Sequence, residues 1–305
     1  MNQADHEDRS IARLMTASIA EQAETMASWG MDRVGLLILM SPCHGRCIFC
    51  AQPAVTHPPP EDWTPWTQVS RYLEGNRAAA LRGLCIGGTE PTSHPDFART
   101  LELAGDVGFE HIELMTSGLT LSEPNVAEDW VASGIRSVAV PIYGHEALHH
   151  NRVVGVPAFD RLVAGLDAAR RAGITVHAHT LALAETLPIL GDLAEFVTSR
   201  WGTPLTLAPA RPKDAVWDYR GRAPSLVDIS RHIDGVPEAH LQLTGWPSCL
   251  TPSRRRGAAT VMRLYFLGQS RSFHPSCSNC QAQPSCPGVV STLLERDGAR
   301  GLTPA

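Results

Sequence analysis

Val34-Gly35-Leu36-Leu37-Ile38-Leu39-Met40 is an unbroken apolar run that stops at Ser41-Pro42-Cys43-His44-Gly45-Arg46-Cys47-Ile48-Phe49-Cys50. A run this short reads as a buried strand, because a bilayer span needs far more residues and an amphipathic helix needs polar interruptions. The polar, cysteine-bearing continuation reads as a loop leaving the strand end. Any chemistry carried by those cysteines therefore sits at the rim of whatever sheet the strand joins.

Outward from this strand, further strands are expected at Leu84 to Ile86, Ile112 to Met115, Ser137 to Pro141, Thr175 to His179 and Leu205 to Ala208. Helical patterns fill most gaps, at Thr67 to Leu81, Asp96 to Val107, Phe159 to Ala172 and Ile189 to Trp201. Six strands alternating with helices predict an α/β fold with parallel strands joined by right-handed crossovers, in an open sheet or a curved partial barrel. In either form ligands gather at the C-terminal strand ends. The segments expected there are Ser41-Pro42-Cys43, Gly87-Gly88-Thr89-Glu90-Pro91, Thr116-Ser117-Gly118 and Ile142-Tyr143-Gly144.

Three organisational units are expected: a helical segment over 1–30, marked by Ile11, Leu14, Met15, Ile19 and Ala20, a core over 31–222, and a tail over 223–305 where the alternation fades. About thirty residues before the first strand are too few for a separate peptide-recognition domain. His57-Pro58-Pro59-Pro60 reads as an extended loop, and Arg254-Arg255-Arg256 as a solvated basic run.

The 305 residues are 43% hydrophobic and 19% charged, ordinary for a globular protein. A net charge of -5 offers no basic field for a phosphate backbone, so nucleic acid is not expected as a partner. The polar, acidic N-terminus lacks a secretion pattern and no run is long enough for a membrane span, which leaves a cytoplasmic protein as the expectation.

Eight cysteines in such a chain call for an explanation other than disulfides. Cys43, Cys47 and Cys50 are spaced Cys-x3-Cys-x2-Cys, which lets three thiolates reach three irons of a cubane and leaves the fourth iron open. A zinc knuckle or three buried thiols are the plainer readings. Cys277-x2-Cys280-x5-Cys286, with Cys249 upstream, makes a second four-ligand set suited to an iron-sulfur cluster or to structural zinc. Cys85, inside an expected strand, reads as a packing residue. His177 and His179 share one strand face and could point into a barrel, as satisfied core histidines first and as ligands second.

The Cys43, Cys47, Cys50 spacing, with Phe49 before the last cysteine, resembles the signature of the radical S-adenosylmethionine superfamily. The resemblance implies a partial (β/α)6 TIM-like barrel, a 4Fe-4S cluster on those cysteines, and S-adenosylmethionine cleaved reductively to a 5'-deoxyadenosyl radical. Gly88-Thr89-Glu90-Pro91 resembles the segment that contacts the cofactor's amino group, with Thr89 where a second Gly is commonest. Thr116-Ser117 resembles the ribose-contacting segment, and Arg152 a residue pairing with a carboxylate. Phe49 joins this cofactor-binding set. The C-terminal cysteines resemble an auxiliary-cluster extension, implying a second iron-sulfur cluster on Cys249, Cys277, Cys280 and Cys286. An electron donor such as flavodoxin or ferredoxin is implied as a partner. The substrate expected first is a ribosomally made peptide being matured. A small molecule in cofactor or natural-product biosynthesis is the alternative, and a non-catalytic zinc-binding interaction protein is the reading from another class.

Overall fold

The computed structural model describes residues 17–28, 33–50, 59–210, 223–250 and 271–303. Ile11, Leu14, Met15, His57, Pro58 and the Arg254 to Arg256 run lie outside the described residues, as do the expected boundaries at 30/31 and at 222.

The chain runs α1 (Ile19–Ser28), β1 (Gly35–Leu39), α2 (Trp66–Glu74), β2 (Gly83–Gly88), α3 (Phe97–Asp106), β3 (His111–Met115), α4 (Val126–Ala132) and β4 (Ile135–Pro141). It continues through α5 (Ala147–Val154), α6 (Phe159–Arg171), β5 (Thr175–Ala182), α7 (Leu190–Trp201), β6 (Leu205–Pro209), α8 (Leu226–Asp234) and β7 (Leu241–Leu243). The tail adds β8 (Arg271–Ser272), β9 (Val289–Val290) and α9 (Ser291–Asp297).

All seven strands β1 to β7 pair in parallel and in chain order, giving the α/β partial barrel that the alternation predicts. The six expected strands are all present. The seventh was not expected, because Leu241-Gln242-Leu243 is only three residues long and follows the region where the pattern fades. It pairs with β6, so the barrel sheet runs past residue 222 into the span assigned to the tail.

Alternate residues divide each strand between two surfaces. Leu37, Leu39, Leu84, Ile86, Ile112, Leu114, Val138, Val140, Val176 and Ala178 are buried and form the side on which the helices pack. The helices answer with buried stripes such as Leu162, Gly165, Leu166 and Ala169 on α6, the i, i+3, i+4, i+7 spacing of one helical face. The first strand has a free edge, and side chains close it. Tyr72 Oη and Gln22 Oε1 take the Leu36 N–H, and the Thr64 hydroxyl takes the Met40 N–H. An edge capped in this way cannot template another strand.

The tail is fastened to the barrel. Arg296 donates to the Ala223 and Pro224 carbonyls, and Asp297 accepts from the Leu226 N–H at the start of α8. Val289, Val290 and Leu293 join the same hydrophobic core as the strands. No helix among the described residues is long and apolar enough to cross a membrane.

Candidate functional site

The loop after β1 carries Cys43, Cys47 and Cys50, and backbone hydrogen bonds fix its course. Arg46 N–H donates to the Val154 carbonyl at 2.8 Å and Ile48 N–H to that of Val153 at 3.0 Å, pinning the loop to the end of α5. That end is Gly155 at φ +75°, where a Cβ would stand 2.6 Å from the Arg46 oxygen. Cys50 N–H closes a turn on the Cys47 carbonyl at 2.9 Å. Gly45 fits between two of the sulfurs, since a Cβ there would lie 3.3 Å from Cys47 Sγ and 3.7 Å from Cys43 Sγ.

The three thiols converge. Burial, then the nearby Cys50 and Cys43, push Cys47 up to about 12. Burial also raises Cys43, against a lowering hydrogen bond from the Gly45 backbone, with Glu90 and Cys50 adding to the rise. Sulfurs that destabilise one another's negative charge are a donor set matched to a polycation such as an iron-sulfur cluster, which discharges all three together. Phe49 packs on Tyr143 with ring centroids 5.0 Å apart, and Tyr143 stacks on His150. His150 Nδ1 accepts from the Tyr143 N–H, and burial holds its ring neutral, down to about 4.

Beside this loop, the end of β2 requires glycine. Gly88 has φ +139°, and a Cβ there would stand 1.9 Å from the Leu39 oxygen. Thr89, the departure from the family's second Gly, has a structural role: its hydroxyl bonds both the N–H and the carbonyl of Ser41, tying the ends of β1 and β2 together. Glu90 is 2% exposed and its carboxylate is occupied by the protein itself. One oxygen accepts from Thr116 Oγ1 at 2.6 Å and Thr92 Oγ1 at 2.8 Å, the other from Ser117 N–H at 2.7 Å. Glu90 therefore positions the Thr116-Ser117 loop against the β2 loop, and Pro91 starts the short turn that brings Thr92 back onto it.

Arg152 stands on α5 next to Val153, whose carbonyl holds the cysteine loop. It is exposed on α5 and makes no ion pair or hydrogen bond among the described residues.

The surface of the sheet away from the helices carries the polar side chains. Register aligns Cys85, Glu113 and Ser137 in one row, and Pro141, His179, Thr206 and Gln242 in another, with His177 beside Ala139. This is the barrel lumen, opening toward the cysteine loop. His179 is 7% exposed, burial depresses it to about 3, and its Nδ1 has no hydrogen-bond partner. The expectation of a satisfied core histidine thus holds for its burial and not for its bonding. Glu113, Thr206 and Gln242 were not singled out from sequence, although the alternation of His111, Glu113 and Met115 with Ile112 and Leu114 already marks a two-faced strand.

In the tail, Cys249, Cys277, Cys280 and Cys286 line one pocket of about 340 Å³ including its open mouth, together with Phe273 and Leu302. Burial is the chief cause raising Cys249, and Cys286 and Cys277 contribute; Ser248 N–H donates to Cys286 Sγ at 3.2 Å. Successive backbone turns at Cys277, Cys280 and Cys286 shape the lining. The β8–β9 pair brackets this segment.

The family model described as "Radical SAM superfamily" matches residues 37–197, more than half of the chain. Among curated proteins, the GTP 3',8-cyclase of Rhodopseudomonas palustris (strain ATCC BAA-98 / CGA009) is 25% identical over 276 residues, covering 85% of this chain and 76% of that one. Among solved structures, anSMEcpe with bound AdoMet superposes with a TM-score of 0.61 at 12% identity, covering 89% of this chain and 93% of that one. Streptococcus suis SuiB bound to precursor peptide SuiA superposes with a TM-score of 0.53 at 15% identity, covering 72% of this chain. The present chain spans about half of SuiB, 51%.

Proposed function

Because this chain belongs to the radical SAM superfamily, an enzyme family that uses a 4Fe-4S cluster and S-adenosylmethionine, we propose that Cys43, Cys47 and Cys50 are the cluster ligands. The observation that carries this reading is the convergence of their three thiols at the C-terminal end of β1, beside the strand-end loops. When bound, the reduced cluster supplies one electron that breaks a carbon-sulfur bond of S-adenosylmethionine, and the 5'-deoxyadenosyl radical so formed takes a hydrogen atom from substrate.

The chain's own residues hold and orient. The Gly88 to Pro91 backbone, with Glu90 and Thr89 locking it in place, is suited to accept from the cofactor's ammonium through its carbonyls. Ser117 would offer its hydroxyl to a ribose, while Thr116, whose own hydroxyl donates to Glu90, would hold that loop in place, and Phe49 braces the cysteine loop through Tyr143. The lumen is where a substrate would be kept from bulk water with one hydrogen in reach of the radical.

The substrate class we propose is a peptide, with hydrogen abstraction leading to a crosslink, an epimerisation or a related change. SuiB, whose structure holds a precursor peptide, has this fold. The lumen does not favour an anionic substrate: across β1 to β7 the only Lys or Arg is Arg136, which is exposed and donates to the Val131 carbonyl, and Glu113 faces the lumen. The second reading, a small-molecule reaction in cofactor or natural-product biosynthesis, is favoured by the relatedness to GTP 3',8-cyclases. A triphosphate, however, would find no other cation on the strands.

We further assign Cys249, Cys277, Cys280 and Cys286 to a second iron-sulfur cluster. Their convergence on one pocket supports a shared inorganic centre held by four thiolates, with structural zinc as the alternative.

Anaerobic reconstitution tests the whole reading. Iron and sulfide for two clusters are expected, with 5'-deoxyadenosine released on reduction. Replacing Cys43, Cys47 and Cys50 together with Ala abolishes that release. Bound zinc without 5'-deoxyadenosine would remove the proposal, and deuterium passing from a labelled peptide into 5'-deoxyadenosine would establish the substrate class.

A further inference from the structure

The lumen wall formed by the last three strands carries polar side chains that the catalytic reading leaves without a task. His179 on β5, Thr206 on β6 and Gln242 on β7 face one another in register, one row across adjacent strands. Neighbouring strands stand about 4.8 Å apart, so the row is roughly 10 Å long. On the opposite surface of the same strands Val176, Ala178, Leu205, Leu207 and Leu243 are buried. A wall built only to pack would be apolar on both sides, as parallel strands commonly are.

The protein leaves these groups unanswered. His179 is 7% exposed, and its Nδ1 has no hydrogen-bond partner. Thr206 is buried, and neither its hydroxyl nor the Gln242 amide makes a hydrogen bond among the described residues. An unpaired buried polar atom is costly, and a folded chain that keeps one in a cavity wall offers it to something outside the chain.

The row is also uncharged. Burial keeps the His179 ring neutral down to about 3, so at neutral pH one ring nitrogen donates and the other accepts. The Thr206 hydroxyl and the Gln242 amide each add a donor and an acceptor. Burial lowers His177 as well, and Glu113 stands in the row through Ser137 and Thr175, four residues nearer the start of β5 than His179. At its other end the row approaches the cysteine loop. The His179 carbonyl accepts from the Ile142 N–H at 2.8 Å, and the next residue, Tyr143, packs on Phe49 at 5.0 Å.

We propose that His179, Thr206 and Gln242 form a subsite for an uncharged amide of the substrate, either a backbone peptide unit or a side-chain carboxamide. The inference rests on the peptide reading for the identity of the ligand. An amide is neutral and presents both an acceptor and a donor, which the row can meet at once. A carboxylate or phosphate brings only acceptors, with a charge that nothing in the row offsets. An amide seated here holds the adjoining carbon of the substrate on the side of the lumen nearest the cysteine loop.

Small amides test this on the reconstituted full chain, labelled with the heavy nitrogen isotope in its histidine rings. The His179 ring signals are identified by their loss in His179→Asn. N-methylacetamide stands for the backbone unit and acetamide for the carboxamide, with acetate and methylammonium as charged probes of similar size. The Nδ1 signal of His179 is expected to move saturably with the amides and to stay in place with the charged probes; the tighter amide names the source. Thr206→Val and Gln242→Leu, which keep the volume and remove the hydrogen bonds, should each weaken amide binding about fivefold, the worth of one hydrogen bond. If neither amide moves the signal, if acetate moves it as far, or if both variants bind amides like the wild type, the subsite is wrong. Should a variant fail to fold, the wild-type contrast between amide and acetate decides. Amides that bind at His179 while no labelled peptide passes deuterium into 5'-deoxyadenosine would instead refute the peptide reading and leave the subsite standing.

Discussion

Gly155 shows how one residue can govern the cysteine loop from outside it. At φ +75° it ends α5, and a methyl group there would press on the Arg46 backbone at 2.6 Å, a neighbour that cannot rotate away. Gly155→Ala is expected to cost about 1–3 kcal/mol and to shift the loop off Val153 and Val154. Iron bound per chain after reconstitution should fall well below wild type, and an unchanged iron content with an unchanged melting temperature would show that the contact is not needed. Glu90 gives a second test. Glu90→Gln replaces one acceptor oxygen by an amine facing the Ser117 N–H or the Thr116 hydroxyl, leaving a buried donor unpaired at about 1–3 kcal/mol. Thermal unfolding should shift down by a few degrees, and the KM for S-adenosylmethionine should rise as the Thr116-Ser117 loop loosens. The convergence of Cys43, Cys47 and Cys50 was legible at this scale because all three lie on one short loop. The roles of Gly155, Tyr143 and Glu90 were not, because each depends on a neighbour distant in sequence.

The elements were legible where burial is continuous and poorly so where it is not. Strands β1 to β6 each hold an apolar face against helices, and that demand leaves a run that can be read directly. The helical span expected over Thr67 to Leu81 is present as α2 and a short second helix, Asn76–Ala79, broken at Gly75, whose Cβ would stand 3.1 Å from the Tyr72 oxygen and 3.2 Å from Ile19 of α1. Helices α4, α5 and α8 went unmarked: α4 is seven residues long, and α5 carries His149, His150 and Asn151 among its apolar residues. Helix α8 begins with a side-chain cap, in which Ser225 accepts from the Asp228 N–H and donates to its carboxylate. The attachment of α9 to α8 rests mainly on Arg296. Arg296→Ala removes donors to Ala223 and Pro224 and loosens Asp297 from the Leu226 N–H. Faster amide exchange is expected across α9 and the start of α8, with the strands β1 to β5 unaffected; uniform protection would show that the core residues Leu293 and Val290 suffice.

For the molecule as a whole, the buried histidines set a pH dependence whose sign follows from their neutrality. Burial lowers His150 to about 4 and His179 to about 3, whereas in the unfolded chain both protonate near the ordinary histidine value of about 6.5. Between those values the unfolded chain binds more protons than the folded one, so stability is greatest above about 6.5 and falls as pH drops toward 4. Carboxylates held low by Arg partners, such as Asp167 beside Arg200, lose their contribution only further down, below their ordinary range near 3.8, which leaves the interval from 7 to 5 to the histidines. Two such groups should remove on the order of 3 kcal/mol across that interval. Urea unfolding of the metal-free chain at pH 7 and pH 5 should show a lower midpoint at the acid value with an unchanged slope. His150→Asn with His179→Asn, which keeps a hydrogen-bonding amide in each position and cannot take up a proton, should flatten the difference. A double variant as acid-sensitive as the parent would move the cause away from these two rings.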